Sequence, residues 1–397
     1  MSEYQYYEFM ALDRPLSAEA QKYIRSLSSR VQLTASSASF VYNYTGLPAD
    51  ASKILAEYFD IMLYITNWGT RQLMLRFPLH SLSAQIREQY RFPNALEWSE
   101  SGDYLILNME FNPDGSEGEW TEGEGILSGL VQIREDILRG DVRSLYLGWL
   151  MGADYERAIL GDDEDFEDDE DFEDDENFED DEVSTTENDF TEPPVPPNLQ
   201  KLSPALQNFI AFFGLDDDLV AAAAQASPNV TPSKAKDLSR YIAQLAQDEK
   251  DDFLTRLLQG EAYLDIALAK RLRQFTSSAE KDVSDVQRRT IQQLIANAET
   301  VTQKRQEQER QQREIEKQKH LKTVAQNEDK LWAQVPHLIE EKRANTYEQA
   351  VDILKDLRDL AEQEKRLAEF QQKMRRIQEQ YPTLRGLQGR LKNAGLV

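Results

Sequence analysis

The chain has 397 residues, no cysteine, and a formal net charge of −27 at pH 7 from 45 basic and 72 acidic residues. The lack of cysteine excludes disulfide bonds, thiolate nucleophiles and zinc sites with cysteine ligands. No apolar run approaches the roughly 20 residues of a membrane-spanning helix, and the start MSEYQYYEF lacks the pattern of a secretory signal, so we expect a cytoplasmic protein without a membrane segment.

Residues 1–160 combine strand and helix patterns, which predicts an α+β domain. Ser17 is the expected N-cap of a first short helix, and Gly69 is placed for a tight hairpin turn. A helix at 126–140, which Gly140 would end, and another at 141–153 complete the domain. Segments rich in aromatic and β-branched residues are predicted as strands at 4–12, 40–44, 60–66, 71–78 and 104–111.

Residues 161–198 are predicted to form a disordered acidic and proline-rich linker. The stretch 162–182 contains 17 acidic residues and no basic residue. Its repeat of six residues fits neither the helical nor the strand period, and charge repulsion favours an extended chain. The prolines between Pro193 and Pro197 favour a stiff polyproline II spacer.

Three phenylalanines, Phe166, Phe172 and Phe178, interrupt the acidic stretch at intervals of six residues. Regularly spaced aromatic residues in an acidic chain are typical of a segment that folds on binding to a basic groove, so these three are the candidate partner-binding residues. The alternative is that they are tolerated in a solubilising spacer. The acidic stretch could also meet residues 281–397, which carry 23 basic and 19 acidic residues.

Helical periodicity predicts an all-α domain at 199–280, then a long helical arm and an antiparallel helical hairpin at 281–397. Residues 303–320 contain one apolar residue, Ile315, so this part of the arm lacks an apolar seam. A continuous helix from 282 to a kink at Pro336 would be about 80 Å long. Thr346 and Gln349 form a candidate capping box for the second helix of the hairpin, whose apolar stripe continues to Tyr381.

Chemical motifs are scarce in this sequence. It contains no phosphate-binding glycine loop, no nucleophile elbow, no HExxH motif and no EF-hand spacing. The histidines His80, His320 and His337 are scattered, so we predict no metal and no cofactor. Trp68 and Arg71, in the turn NWGTR, would either face a ligand or cover the core. The basic residues near the C-terminus lack interleaved aromatic residues and do not favour a nucleic-acid partner.

Five stretches resemble a family of uncharacterised bacterial proteins. They are YQYYEFMALDRPLS at 4–17, NWGTRQLMLRFP at 67–78, RGDVRSLYLGWL at 139–150, EPPVPPNL at 192–199 and GRLKNAGLV at 389–397. The resemblance implies a bacterial, cytoplasmic protein and brings no activity, cofactor or site residue. It also implies that the acidic stretch lies in a variable linker, which favours the spacer interpretation.

These observations predict a non-enzymatic protein-interaction or scaffold protein with a protein partner of unknown identity. The alternative is an enzyme whose site, in the N-terminal domain, uses carboxylates and arginine instead of cysteine or histidine. A deep pocket with converging polar groups in that domain would favour the enzyme.

Overall fold

The computed structural model describes residues 3–112, 123–162, 191–230, 238–260, 264–273, 275 and 288–396. The chain forms two compact units, residues 1–301 and 302–397. Most of the predicted linker lies outside the described residues, as do Phe166, Phe172 and Phe178. In the described ranges, no helix has both the length and the apolar character that crossing a bilayer requires.

The first unit is built around a seven-stranded antiparallel sheet with the order β2-β3-β1-β4-β5-β7-β6. Its strands are β1 Gln5–Met10, β2 Gln32–Leu33, β3 Ser37–Tyr42, β4 Ile61–Thr66, β5 Arg71–Pro78, β6 Leu96–Ser101 and β7 Tyr104–Phe111. All five predicted strands are present, and β2 and β6 were not predicted. Gly69, with φ 101°, forms the turn between β4 and β5 as expected.

Helices flank both faces of this sheet. They are α1 Ala18–Leu27, α2 Ala51–Tyr58, α3 Ala84–Gln89, α4 Val131–Leu138, α5 Arg143–Asp162, α6 Pro204–Phe213 and α7 Asp217–Ala224. The first unit also contains α8 Gln247–Leu258 and α9 Leu264–Arg273. Ser17 caps α1, because its hydroxyl accepts a hydrogen bond from the Ala20 amide at 3.1 Å. The helix predicted at 126–140 is instead a 3₁₀ turn, Leu127–Gly129, followed by α4. Gly140, with φ 88°, follows its end as predicted.

Side chains alternate across the strands and so form two cores. On one face, Phe9, Met62 and Met74 pack with residues of α1 and α2. On the other face, the sheet packs with α4, α5, α6 and α7, and this core includes Leu63 and Phe209. Helices α6 and α7, which the sequence pattern assigned to an all-α domain at 199–280, therefore share a core with the sheet.

The second unit is entirely helical in its described part. The chain enters it within α10 Ile291–Gln326, which is followed by α11 Glu328–Glu340, α12 Ala344–Gln363, α13 Leu367–Gln380 and α14 Arg385–Asn393. Helices α11 and α12 form the predicted hairpin, and they bury Val335 and Leu354 in one core with Phe370 and Leu387. The predicted fold class is confirmed: an α+β domain, then a helical half with a long helix and a hairpin.

Four details of the helical half differ from the sequence predictions. The long helix ends at Gln326, so α10 is about 54 Å long. The side-chain amide of the next residue, Asn327, donates to the Thr323 carbonyl at 2.9 Å. Pro336 lies inside α11 without ending it. The predicted capping box is wrong, because α12 begins earlier and Thr346 donates its hydroxyl proton to the Arg343 carbonyl at 3.1 Å. The stripe that was predicted as one helix is divided between α12 and α13 at Lys365, which has φ 58°.

Candidate functional site

The structure gives separate surroundings to the side chains that the sequence singled out. Trp68 is 37% exposed in the β4–β5 turn. In the second unit, His320 Nε2 lies 3.0 Å from a carboxylate oxygen of Asp356. His80 and His337 are exposed. Over the described part of the chain, no three His, Cys, Asp or Glu side chains converge as metal ligands would.

A buried network of carboxylates and arginines lies where β4 begins; we call it the Asp60 network, and it consists of Asp13, Asp60, Arg76 and Arg134. Asp60, directly before β4, is 1% exposed. Its Oδ2 accepts the backbone N–H groups of Leu12 and Asp13 at 2.7 and 3.0 Å. Arg76 of β5 donates from Nη2 to Asp60 Oδ1 at 2.7 Å. One carboxylate thus joins the chain after β1 to the central strands.

Arg134 extends the network from α4. Its Nη1 and Nη2 donate to the two oxygens of the Asp13 carboxylate, both at 2.9 Å. Its Nε donates to the Arg76 carbonyl at 2.6 Å, and its Nη2 lies 3.5 Å from Asp60 Oδ1. Arg134 is 3% exposed and the Asp13 side chain 28%, so Asp13 is the member that reaches solvent.

The pKa values of the two carboxylates in the network are shifted in opposite directions. Burial acts to raise the pKa of Asp60, but the Asp13 amide and the charges of Arg134 and Arg76 outweigh it and lower the pKa. Burial raises the pKa of Asp13, and the bidentate bond from Arg134 offsets only part of that effect. Such opposed shifts also occur at catalytic carboxylate pairs. In this network, however, the carboxylates and guanidinium groups bond to one another and to backbone groups, which is the arrangement of a structural ion network.

A second buried polar cluster lies at residues 191–192 and 289–290. Glu192 is 3% exposed and accepts the Tyr146 hydroxyl. The two oxygens of Glu192 also accept Nη2 and Nε of Arg289, at 2.6 and 2.7 Å. Arg289 Nη1 donates to the Ala222 carbonyl in the last turn of α7 at 3.0 Å. Burial and the Glu192 carboxylate raise the pKa of Tyr146 well above its usual value. This cluster fixes the start of the EPPVPP stretch to α5 and α7.

Arg71, from the NWGTR motif, lines a cavity of about 460 Å³ in the first unit. Its Nη1 donates to the Phe212 carbonyl at 2.7 Å, at the end of α6. Asn208 of α6 lines the same cavity and donates to the Gly129 carbonyl at 3.2 Å. Arg71 therefore faces a cavity, as one of the two predicted alternatives requires, and at the same time donates to a carbonyl in the last turn of α6.

A second cavity, of about 480 Å³, opens at the start of β6 and the end of β7; we call it the β6–β7 cavity. Its polar lining includes two carboxylates and its apolar lining includes a buried methionine. The residues that line it are Pro93, Asn94, Ala95, Glu97, Asn108, Glu110, Phe111, Asn112, Met151 and Tyr155. None of these residues was predicted from the sequence as a site residue.

Part of the lining of the β6–β7 cavity could have been predicted from the sequence. The stretch LEWSES at 96–101 alternates apolar and polar residues up to Trp98, which is a weak strand signal, and Gly102 follows it as a turn residue. Recognising β6 would have paired Glu97 with Asn108, its neighbour in the observed register. The contribution of Met151 and Tyr155, from α5, carries no local signal.

Comparisons of this chain with models of known protein families, with curated proteins and with solved structures gave no match.

Proposed function

We propose that this chain is a non-enzymatic protein-interaction or scaffold protein. The observation that carries the proposal is a leucine face on α8. Leu254, Leu257 and Leu258 are 58%, 61% and 90% exposed. Their spacing of i, i+3 and i+4 places them on one side of the helix. Three large apolar side chains that are this exposed on one helix face are typical of a protein-binding surface.

The remainder of α8 indicates what kind of partner would fit. Asp248, Asp251 and Asp252 are exposed in the first half of the helix, ahead of the leucines. An apolar helix face with an acidic approach suits an apolar groove bordered by lysine or arginine side chains. The proposed partner is therefore a protein with such a groove, and α8 is the segment inserted into it.

Two further features support a scaffold role. The two units have separate hydrophobic cores, so one chain supplies two folded bodies. In α10, all but one of residues 303–320 are exposed. A helix of this kind, rich in arginine, glutamate and glutamine, is typical of a solvent-spanning segment. On the sequence resemblance we place the protein in the bacterial cytoplasm.

The test compares three variants of the full-length chain as baits in pull-downs from the native cell. In the first, Leu254, Leu257 and Leu258 are all changed to Gln, which preserves helix propensity. In the matched control, the exposed residues Leu12, Ile315 and Leu367 are changed to Gln. In the third, Phe166, Phe172 and Phe178 are changed to Ser, which tests the other candidate partner-binding segment without changing the charge.

The proposal expects a partner that is retained by the wild type, the control and the phenylalanine variant and is lost by the leucine variant. Once the partner is purified, its Kd for the leucine variant should be at least 100-fold higher, because each buried leucine contributes on the order of 1.5–3 kcal/mol. Equal binding by the leucine variant would overturn the assignment to α8. Loss of binding only in the phenylalanine variant would transfer it to the acidic stretch.

The alternative function is an enzyme with a carboxylate and arginine site in the first unit. The Asp60 network is the observation that favours it, because Asp13 combines a raised pKa with partial exposure beside a buried arginine. A substrate would have to displace Arg134 from the Asp13 carboxylate, so we rank this proposal second. If the Asp13→Asn variant kept the full rate of any activity detected in the wild type, the Asp60 network would be excluded as the site of that activity.

A further inference from the structure

Strand β6 lies at one end of the strand order, so only one of its two sides is paired with a strand of the sheet. The strand at the other end, β2, has two residues, whereas β6 has six. The unpaired side of an edge strand presents backbone N–H and C=O groups that the sheet itself does not use. Strand β6 is therefore the longer of the two edges of this sheet.

The hydrogen bonds of Leu96, the first residue of β6, show which backbone groups of the strand face away from β7. The Leu96 N–H donates to the Phe92 carbonyl at 2.8 Å, and the Leu96 carbonyl accepts the Phe92 N–H at 3.0 Å, so both groups of Leu96 face outward. This direction alternates from residue to residue along an antiparallel strand. The N–H and C=O groups of Trp98 and Glu100 therefore face outward as well.

The outward groups of Trp98 and Glu100 are open. Among the residues that the structure describes, none forms a hydrogen bond with them. Backbone groups that are buried are nearly always paired, so we infer that these groups face water. The side chains of Glu97, Ser99 and Glu100 are exposed as well. An extended backbone could therefore reach this side of β6.

The chain itself already pairs with this edge at one position. Phe92 and Leu96 form an antiparallel bridge, so Phe92 takes the place of one residue in an eighth strand. The chain before Phe92 does not continue along the edge, because it belongs to α3 up to Gln89. The positions beside Trp98 and Glu100 are thus left for another backbone, and the bridge shows that this edge accepts an antiparallel one.

The charges on β6 and its hairpin turn indicate the kind of partner. The stretch 97–103 contains the acidic residues Glu97, Glu100 and Asp103 and no basic residue. Glu100 pairs with Arg87 of α3 at 2.9 Å, whereas Glu97 has no ion-pair partner in the described part of the chain. A second copy of β6 would bring the same negative charges to the edge and be repelled. Charge complementarity therefore favours a strand with lysine or arginine side chains.

We propose that the open edge of β6 binds an extended basic segment of a partner protein as an eighth, antiparallel strand. The backbone of that segment bonds to the outward N–H and C=O groups of Trp98 and Glu100, which supplies affinity. Its lysine or arginine side chains lie opposite Glu97 and Glu100, and an apolar side chain lies opposite Trp98, which itself packs partly against the core. This surface is independent of the leucine face on α8, and its failure would leave the proposed function untouched.

The probe is the acetylated and amidated peptide TKTVK, which in an antiparallel strand places its lysines opposite Glu100 and Glu97 and its valine opposite Trp98. It is titrated into the full-length protein at low salt and followed by NMR of backbone amides. We expect saturable binding that slows hydrogen exchange at the Trp98 and Glu100 amides by about fivefold or more. The amides of Glu97 and Ser99 already face β7 and should change by less than about twofold.

A matched peptide tests the role of charge. TETVE has the same length and the same backbone but carries glutamate in place of both lysines. It should bind about tenfold more weakly or less well still, because two ion pairs worth up to about 1 kcal/mol each are replaced by repulsion. Raising the salt concentration should weaken the binding of TKTVK.

Two variants of residue 100 separate the backbone from the charge. Glu100→Pro removes the outward N–H, which the β6–β7 pairing does not use, and proline is tolerated at such edge positions. Glu100→Gln removes the same charge and keeps the N–H. Glu100→Pro should bind TKTVK about fivefold more weakly than Glu100→Gln, because it lacks one backbone hydrogen bond of about 1 kcal/mol. Unchanged amide shifts in β7 would show that the sheet is intact in both variants.

A second pair of variants does not depend on proline. Glu97→Gln removes an exposed carboxylate beside the proposed strand and should weaken TKTVK binding by about twofold or more. Glu19→Gln removes the same charge from an exposed position of α1 and should leave the affinity unchanged. The variant with Leu254, Leu257 and Leu258 changed to Gln should bind TKTVK as the wild type does.

Several results would overturn the proposal. The absence of saturable binding would do so, as would equal affinity for TKTVK and TETVE. Binding without slower exchange at Trp98 and Glu100 would show that the peptide lies elsewhere. Equal affinity of Glu97→Gln and Glu19→Gln would exclude the charge contact. If exchange at Trp98 and Glu100 slowed with rising protein concentration and no peptide, the edge would pair with a second copy of the chain instead.

Discussion

The guanidinium of Arg134 and the carboxylate of Asp13 form a bidentate pair, with both N–H···O distances at 2.9 Å, across 121 residues of sequence. The pair joins α4 to the segment between β1 and α1. Because Arg134 also lies 3.5 Å from Asp60, its removal would take the bidentate partner from Asp13 and leave Arg76 to balance the charge of the buried Asp60.

Arg134→Ala is expected to lower the free energy of unfolding of the first unit by about 3 kcal/mol, because it removes a buried guanidinium that pairs with Asp13 and lies close to the buried Asp60 carboxylate. Urea unfolding can be followed by tryptophan fluorescence, since four of the five tryptophans belong to this unit. Arg139→Ala is the matched control. Arg139 is 62% exposed and pairs with Glu135 one turn away, so its loss should cost at most about 0.5 kcal/mol. Equal effects of the two substitutions would contradict the structural role of the network.

Asp13→Asn is expected to change how stability depends on pH. Burial raises the pKa of Asp13 in the folded protein above the unfolded value of about 3.9, so the folded state takes up the proton first as the pH falls. Ionisation of Asp13 therefore lowers stability as the pH rises from about 3.9 through the folded pKa.

Measured by urea unfolding, the wild type should be more stable relative to Asp13→Asn at pH 4 than at pH 7. Asp60 titrates in the opposite sense, because its lowered pKa contributes stability that is present above about pH 3.9 and lost in stronger acid. If the wild type were instead less stable relative to Asp13→Asn at pH 4 than at pH 7, the Asp13–Arg134 attraction would outweigh the effect of burial on the pKa of Asp13.

Local patterns were sufficient to predict the fold class. Strands such as β4 and β5 are rich in apolar and aromatic residues, and a glycine with positive φ lies between them. Strand β6 was not predicted from the sequence. Its two inward side chains, Leu96 and Trp98, form a short apolar pattern that the charged residues Glu97 and Glu100 obscure. Its strand character depends on pairing with β7, which is a tertiary effect that strand propensity does not include.

The polar clusters could not be predicted for a related reason. Glu192 begins a proline-rich stretch that has the composition of a spacer, and its partner Arg289 follows 97 residues later. The same distance effect explains why α6 and α7 were assigned to a separate domain. Their apolar faces predict burial, but the pattern does not say which surface covers them.

Glu192→Ala is expected to destabilise the first unit by about 3 kcal/mol, because it leaves the partly buried Arg289 guanidinium and the buried Tyr146 hydroxyl without their shared acceptor. The local readout is hydrogen exchange at the Glu192 amide, which donates to the Arg289 carbonyl at 2.8 Å. Tyr90→Phe is the milder comparison, since it removes only the hydroxyl bond to the Pro194 carbonyl and should cost about 0.5–1.5 kcal/mol. If the amide of residue 192 exchanged at the same rate in the Glu192→Ala variant as in the wild type, this cluster would not be what holds the segment in place.

The second unit allows a direct comparison of a buried and an exposed apolar residue. Leu354 of α12 is fully buried in the core of this unit, whereas Ile315 of α10 is 47% exposed. Leu354→Ala should destabilise the unit by about 2–5 kcal/mol, because it leaves a cavity in the core. Ile315→Ala removes a side chain that is largely exposed to solvent, so it should change stability by at most about 0.5 kcal/mol.

Hydrogen exchange measured by mass spectrometry resolves these two effects within one unit. In Leu354→Ala, the amides of α12 should exchange about 30-fold faster or more, which corresponds to the lower limit of 2 kcal/mol. In the wild type, residues 303–320 should already exchange faster than α12, since their ion pairs, such as Arg310 with Glu307 at 2.7 Å, contribute only about 0.2–0.5 kcal/mol each. If the amides of residues 303–320 instead prove to be among the slowest to exchange, this segment of α10 is covered by a partner. In that case, Ile315→Ala should accelerate exchange in the segment as strongly as Leu354→Ala does in α12.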